Sequence, residues 1–96
     1  MKNAARVHFV GIGGISMSSL AAITKNMGYN VSGSDRTESE ITDRLASEGI
    51  DVKYFHAAEN VNGASLVVYT AAVRKDNPEL DEAERAGIPL CSRADY

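Results

Sequence analysis

The residues whose spacing points most directly to chemistry are the glycines of the segment VHFVGIGGISMSSLAAI. Gly11 and Gly13 match the first two glycines of a G-x-G-x-x-G turn, and Ser16 stands in the position of the third. Gly11 allows a sharp turn, and the amides that open the following helix lack internal partners and favour an anion. A merely structural turn is the alternative. The predicted phosphate-binding turn consists of Gly11, Ile12, Gly13, Gly14, Ile15 and Ser16.

A carboxylate follows at the end of the second predicted strand. Asp35 lies 24 positions after Gly11, where nicotinamide-dependent enzymes place an acidic side chain on the adenosine ribose. Arg36 beside it can instead accept the 2′-phosphate of NADP. The spacing alone therefore leaves NAD, NADP and a uridine nucleotide open, with a solvated loop charge as the alternative for Asp35.

Further candidates follow the third and fourth predicted strands. His56, in YFHAAEN, is either a ligand contact or a surface histidine, and His8 is expected to be a hydrogen-bonded core residue. The small residues Thr70, Ala71 and Ala72 form a turn against which a ligand can lie. No Ser-His-Asp order, carboxylate pair or metal-ligand spacing stands out, so we predict neither a catalytic residue nor a metal site in this chain.

Short strands that alternate with helices must position these residues. Strands are predicted at 5–10, 31–34, 52–54 and 66–70, and a fifth begins at 88. The first helix is predicted over 15–27 from apolar residues at helical spacing, namely Ile15, Leu20, Ile23 and Met27. The second helix has the spacing of a capping box at Thr37 and Glu40, and the third begins at Asn77-Pro78.

This alternation predicts an α/β fold. The expected architecture is a Rossmann-like, doubly wound parallel sheet of about five strands in the order 3-2-1-4-5, with helices on both faces. Ligands of such sheets bind outside the carboxyl ends of the strands, so the candidate residues should meet at one edge.

Composition limits the classes of partner. Ninety-six residues make one domain, and a formal net charge of −3 without a lysine or arginine cluster argues against a nucleic-acid surface. A bound phosphate must therefore be held mainly by backbone dipoles. The single cysteine, Cys91, suits a reducing cytoplasm, and we expect neither a secretion signal nor a membrane span.

Taken together, the motifs resemble the N-terminal domain of the Mur ligase family of bacterial peptidoglycan synthesis. The resemblance extends over nearly all 96 residues and is carried, in order, by HFVGIGGISMSSLA, GYNVSGSD, His56 with AENV, LVVYTAAV, NPEL and GIPLCSRAD. The family usually has glycine where Ser16 and Ser19 stand here, and commonly Gly-His in place of Phe55-His56.

The resemblance implies that residues 1–96 are the domain of a cytoplasmic ligase that binds UDP-N-acetylmuramate. Central ATP-binding and C-terminal amino-acid-binding domains would lie outside this chain. With ATP and Mg²⁺ bound in the parent enzyme, the lactoyl carboxylate of the substrate would be phosphorylated and then attacked by L-alanine. These 96 residues alone would be inactive.

The resemblance also assigns the candidate residues. The glycine turn would face the diphosphate, Ser34, Asp35 and Arg36 would surround the uridine, and His56 with 70–72 would line the rest of the crevice. Two alternatives stay open. One is an NAD(P)-binding domain of a dehydrogenase or regulatory protein, and the other is a family member that attaches a tripeptide to the same nucleotide sugar in cell-wall recycling.

Overall fold

The computed structural model describes residues 5–70 and 77–96. Five parallel strands form one sheet in the order β3-β2-β1-β4-β5, so the predicted fold class and strand order are confirmed. The strands are β1 (Arg6–Val10), β2 (Asn30–Ser34), β3 (Asp51–Lys53), β4 (Leu66–Tyr69) and β5 (Leu90–Ser92). The helices are α1 (Ile15–Asn26), α2 (Glu40–Ser47) and α3 (Pro78–Ala86), with 3₁₀ turns at Ala58–Val61 and Arg93–Asp95.

Each face of the sheet is covered by its own apolar cluster. Side chains of successive strand residues point to opposite faces, so neighbours along β1 and β4 enter different clusters. The cluster against α1 and α2 contains Val7, Phe9, Ile12, Met17, Ala21, Val31, Leu45, Ile50 and Val68. The cluster against α3 contains Val10, Val61, Ala64, Val67 and Ala83. The sheet is thus buried on both faces, as expected of a parallel sheet.

Polar residues interrupt this pattern on the α3 face. His8 lies between Val7 and Phe9 in β1, and Ser32 and Ser34 occupy the equivalent alternate positions in β2. All three are buried. Because buried polar groups need hydrogen-bond partners, these side chains require polar neighbours; Ser32 finds them in β1, where Nδ1 of His8 lies 2.8 Å from its hydroxyl.

The signals at the helix ends are mostly confirmed. The helices are followed by glycines with positive φ at positions 28, 49 and 87, a backbone conformation that glycine adopts without strain. At the start of α3, the side chain of Asn77 accepts a hydrogen bond from the amide of Glu79, and Pro78 occupies the first turn.

Local expectations at the start of α2, the end of β3 and the start of β5 are wrong, and β5 begins at Leu90 instead of 88. The capping box of α2 is formed by Ser39 and Thr42 instead of Thr37 and Glu40, since Ser39 is the residue whose hydroxyl accepts from the third helical amide. Tyr54 lies just beyond β3.

The apolar spacing of α1 does not mark its buried side. Ile15, Ile23 and Met27 are exposed, whereas α1 packs through Met17, Ala21 and Thr24. Met17 and Ala21 belong to the apolar cluster on this face, and Leu20, the fourth residue of the predicted spacing, is partly buried against it. Of the helices in the described part of the chain, none has the length and apolarity needed to cross a membrane.

Candidate functional site

The glycine turn connects β1 to α1 and is held by hydrogen bonds to the carboxyl end of β2. Gly11, with φ +79°, reverses the chain direction, and the amides of Gly11 and Ile12 both donate to the carbonyl of Ser34, at 2.8 and 3.0 Å. The amide of Gly14 donates to the Gly11 carbonyl at 3.2 Å. The amide of Gly13 donates to Oδ2 of Asp35 at 2.8 Å. All four amides of residues 11–14 therefore have acceptors within the protein.

Within the described part of the chain, the next three amides, those of residues 15–17, have no protein acceptor. Ile15, Ser16 and Met17 form the first turn of α1, where amides have no acceptor inside the helix, and the N-cap Gly14 provides no capping side chain. The first turn holds no acidic residue, and the helix dipole adds a partial positive charge there. The amides that open the helix remain the predicted anion site, whereas the amides of the glycines themselves are used internally. The turn positions the helix end that can bind an anion.

Asp35 is fixed beside this helix end. Its Oδ2 accepts from the amide of Gly13 and its Oδ1 from the amide of Thr37 at 3.1 Å. A Cβ atom at Gly13 would lie 2.8 Å from Oδ2 of Asp35, so the missing side chain of Gly13 makes room for this carboxylate. The glycine turn is expected to face the diphosphate, but the space at Gly13 is bordered by Asp35 and by Cγ2 of Thr42 at 3.0 Å. Arg36 next to Asp35 is exposed.

Ser34, the last residue of β2, contacts His56 next to Asp35. The Ser34 hydroxyl lies 2.9 Å from Nδ1 of His56, and the His56 side chain is 17% exposed. His56 is therefore a half-buried residue at the edge of the sheet instead of a free surface histidine. Thr70 follows β4 and is half-buried, while the predicted site residues Ala71 and Ala72 lie outside the described residues.

A buried glutamate, missed in the sequence, ties these residues together. Glu79, on the first turn of α3, is completely buried. Its Oε1 accepts from Nε2 of His8 at 2.8 Å and from the Ser34 hydroxyl at 2.7 Å. Its Oε2 accepts from Nδ2 of Asn60 at 2.7 Å and from the amide of Ala57 at 3.1 Å. The role of His8 as a hydrogen-bonded core residue is confirmed, and Glu79 is its partner.

Four donors keep this carboxylate charged. Burial of the carboxyl group raises the pKa of Glu79, but hydrogen bonds from His8, Asn60 and Ser34 outweigh burial and lower the pKa to about 2. In the sequence, Glu79 is one of several acidic residues near the start of a helix, which predicts a favourable interaction with the helix dipole. The sequence feature that could have indicated the role of Glu79 is His8 in a buried strand, because a buried histidine requires a polar partner.

Comparison with known proteins gives consistent matches. The protein family described as "Mur ligase family, catalytic domain" matches residues 6–96 of the sequence. A UDP-N-acetylmuramate–L-alanine ligase of Acetivibrio thermocellus is 57% identical over 88 residues, which are 92% of this chain and 19% of that protein. The chain thus spans about a fifth of the length of the curated relatives it matches.

Two solved structures share the fold over almost the whole chain. UDP-N-acetylmuramate-alanine ligase from Thermotoga maritima superposes with a TM-score of 0.89 at 42% identity, covering 93% of this chain and 21% of that one. UDP-N-acetylmuramate:L-alanyl-gamma-D-glutamyl-meso-diaminopimelate ligase from Neisseria meningitides superposes with a TM-score of 0.85 at 29% identity, covering 94% of this chain and 29% of that one.

Proposed function

Because this chain belongs to the Mur ligase family, we propose that its sheet edge binds UDP-N-acetylmuramate, the substrate named in its 57% identical relative. The observation that carries this proposal is the unpaired first turn of α1 at the carboxyl end of a parallel sheet. The amides of Ile15, Ser16 and Met17 would hold the diphosphate. Since the chain carries a net charge of −3, these dipoles replace the basic side chains that other phosphate sites use.

The uridine would lie towards β2. Asp35 has two oxygens that each accept one protein amide, and a carboxylate can accept further hydrogen bonds from ribose hydroxyls or the uracil N–H. Arg36, Ser34 and His56 would complete this side, and Thr70, which follows β4, would line the rest of the crevice. The lactoyl carboxylate would then extend away from the sheet.

We further propose that the whole protein is an ATP-dependent ligase that joins L-alanine to this carboxylate. The described residues contain no group of three or more His, Cys, Asp or Glu side chains that could hold a metal ion. The sequence also lacks a G-x-x-x-x-G-K-[ST] phosphate loop. Because the chain spans only about a fifth of the length of its curated relatives, we propose that ATP and Mg²⁺ bind in the remaining part of the protein. This domain would contribute by holding the substrate in position, which lowers the barrier of a reaction between bound groups.

Calorimetric titration tests the ligand. We expect the 96-residue chain to bind UDP-N-acetylmuramate more tightly than UDP, and both at least about tenfold more tightly than NAD or NADP. Tighter binding of NAD or NADP would contradict the proposal and support the dehydrogenase alternative.

Similarity is greater to the L-alanine ligases, at 57% and 42% identity, than to the tripeptide-type ligase at 29%. We therefore expect the full-length protein to release phosphate from ATP with L-alanine and not with the tripeptide.

Asp35→Ala should weaken this binding. Loss of a charged acceptor costs about 1.5–3 kcal/mol, so we expect the dissociation constant for UDP-N-acetylmuramate to rise about 10- to 100-fold. The matched control is Asp51→Ala, which removes an exposed carboxylate at the amino end of β3, whereas the predicted site lies at the carboxyl ends of the strands. An effect below about twofold for Asp35→Ala, or an equal effect of both variants, would show that Asp35 does not contact the ligand.

A further inference from the structure

The hydrogen bonds around Glu79 run in a fixed direction. An ionised carboxylate only accepts, so every group that contacts its oxygens must donate a proton. The amide of Ala57 and the side-chain amide of Asn60 donate to Oε2, and the Ser34 hydroxyl and Nε2 of His8 donate to Oε1. The two contacts to Oε1 are the ones that can be reversed, because a hydroxyl and an imidazole can each donate or accept.

This direction extends from Glu79 to His56. The hydroxyl of Ser34 has a single proton, and the 2.7 Å contact to Glu79 uses it. The 2.9 Å contact between Ser34 and Nδ1 of His56 can then form only if Nδ1 carries a proton and donates it to the serine oxygen. In a neutral imidazole, Nε2 is then an acceptor. Among the described residues, Nε2 of His56 has no hydrogen-bond partner in the protein.

We propose that Glu79 is a positioning residue that fixes His56 in the Nδ1–H tautomer through Ser34, so that Nε2 accepts a hydrogen bond from an O–H or N–H group of the bound nucleotide sugar. The ligand part of this inference rests on the proposed function. Diphosphate oxygens are acceptors and cannot donate to Nε2. His56 therefore recognises a ribose or sugar hydroxyl, the acetamido N–H or the uracil N–H, while the helix amides bind the phosphates.

Glu79→Gln tests the tautomer directly. The amide of Ala57 can only donate, so the carbonyl oxygen of the glutamine must occupy the position of Oε2, and its NH₂ group must face Ser34 and His8. Ser34 would accept from this NH₂ and donate its own proton to Nδ1 of His56. The ring proton would then move to Nε2. The substitution preserves the size of the side chain and reverses the direction of the hydrogen bonds.

The readout is the ¹⁵N spectrum of the histidine rings, recorded without ligand at about pH 8, where an ordinary histidine is neutral. We expect a protonated Nδ1 and a bare Nε2 for His56 in the unmodified chain and in the control Glu84→Gln, which changes an exposed glutamate of the same helix. In Glu79→Gln we expect the opposite tautomer. Ser34→Ala keeps Glu79 but removes the hydroxyl that links it to His56 and leaves only the longer 3.6 Å approach of Nδ1 to Oε2 of Glu79, so it should give a mixture of both tautomers.

Affinity for UDP-N-acetylmuramate gives the second readout. In Glu79→Gln, a donor at Nε2 would face a donor of the ligand, and the dissociation constant should rise about tenfold, with Glu84→Gln unchanged. A folded Glu79→Gln chain that keeps the Nδ1–H tautomer, or an unmodified chain with the proton on Nε2, would overturn the inference. If the unmodified chain shows the expected tautomer but does not bind UDP-N-acetylmuramate, the proposed function fails, and the positioning role of Glu79 stands.

Discussion

Glu79→Ala is expected to lower the free energy of unfolding by about 3–5 kcal/mol, measured by urea denaturation at neutral pH. The substitution removes the acceptor of four buried donors, contributed by His8, Ser34, Asn60 and the backbone of Ala57. Each donor left without a partner retains the cost of its removal from water. A domain of this size is stabilised by about 5–15 kcal/mol in total, so the loss would be a large part of it.

The same variant should also change the acid sensitivity of the domain. The pKa of Glu79 is lowered to about 2 from its ordinary 4.5, so its charged form stabilises the fold fully above about pH 4.5. That contribution, about 3 kcal/mol, is lost as the pH falls from 4.5 to 2. The difference in unfolding free energy between the unmodified chain and Glu79→Ala should therefore be constant near neutrality and shrink through this range. Other carboxylates cancel in the difference.

Glu84→Ala is the matched control, because Glu84 is an exposed residue of the same helix. We expect its substitution to change the free energy of unfolding by less than about 0.5 kcal/mol. A loss of less than about 1 kcal/mol for Glu79→Ala, or a difference that does not shrink at acid pH, would contradict the assignment of Glu79 as an ionised buried anchor.

Gly33→Ala is the second change with a large expected effect, a loss of about 3 kcal/mol in the free energy of unfolding. An added Cβ would lie 2.4 Å from Cδ1 and 2.6 Å from Cβ of Ile12, and 2.8 Å from the carbonyl oxygen of Phe9. The backbone atom and the branched Cβ cannot move aside without shifting β1 or the glycine turn. Ile12 is the fully buried residue of that turn. Its displacement would move the start of α1, so we expect ligand affinity to fall as well.

Gly14→Ala is the comparison for Gly33→Ala. A Cβ at Gly14 would meet its nearest heavy atom at 3.6 Å, which is an ordinary van der Waals contact. Because Gly14 is the N-cap of α1, where alanine is less favourable than glycine, we expect the free energy of unfolding to fall by at most about 1 kcal/mol. Thermal and urea denaturation of both variants provide the measurement. Equal stabilities of the two variants would show that the contact between Gly33 and Ile12 does not limit the approach of β1 and β2.

The architecture could be predicted because its signals are local. The β-branched segment at Leu66–Tyr69, the glycines after each helix and the Asn77-Pro78 start each act within a few residues. The handedness of parallel connections then leaves few strand orders. The local expectations that were wrong involve competition between neighbours. Ser39 caps α2 in place of Thr37, and α1 packs through Met17, Ala21 and Thr24 in place of Ile15, Ile23 and Met27.

The site could be predicted only in outline. Spacing placed the glycine turn, Ser34 and Asp35 at one edge, and their mutual hydrogen bonds confirm that they are neighbours. Two contacts decide how the edge is organised, namely Gly13 with Asp35 and His8 with Glu79. Their partners are 22 and 71 residues apart in the chain. The motifs contain Gly13, Asp35 and Glu79 but do not specify which groups bond to each other, because the pairing depends on the depth at which each side chain lies in the folded domain.

The central claim is that amides in the first turn of α1 hold the diphosphate. The most direct measurement is the shift of backbone amide resonances when the ¹⁵N-labelled chain is titrated with UDP-N-acetylmuramate, UDP and uridine. We predict that the amides of Ile15, Ser16 and Met17 shift strongly with both diphosphates and little with uridine, which lacks phosphate. Saturation with UDP-N-acetylmuramate while these three amides remain unchanged would contradict the claim.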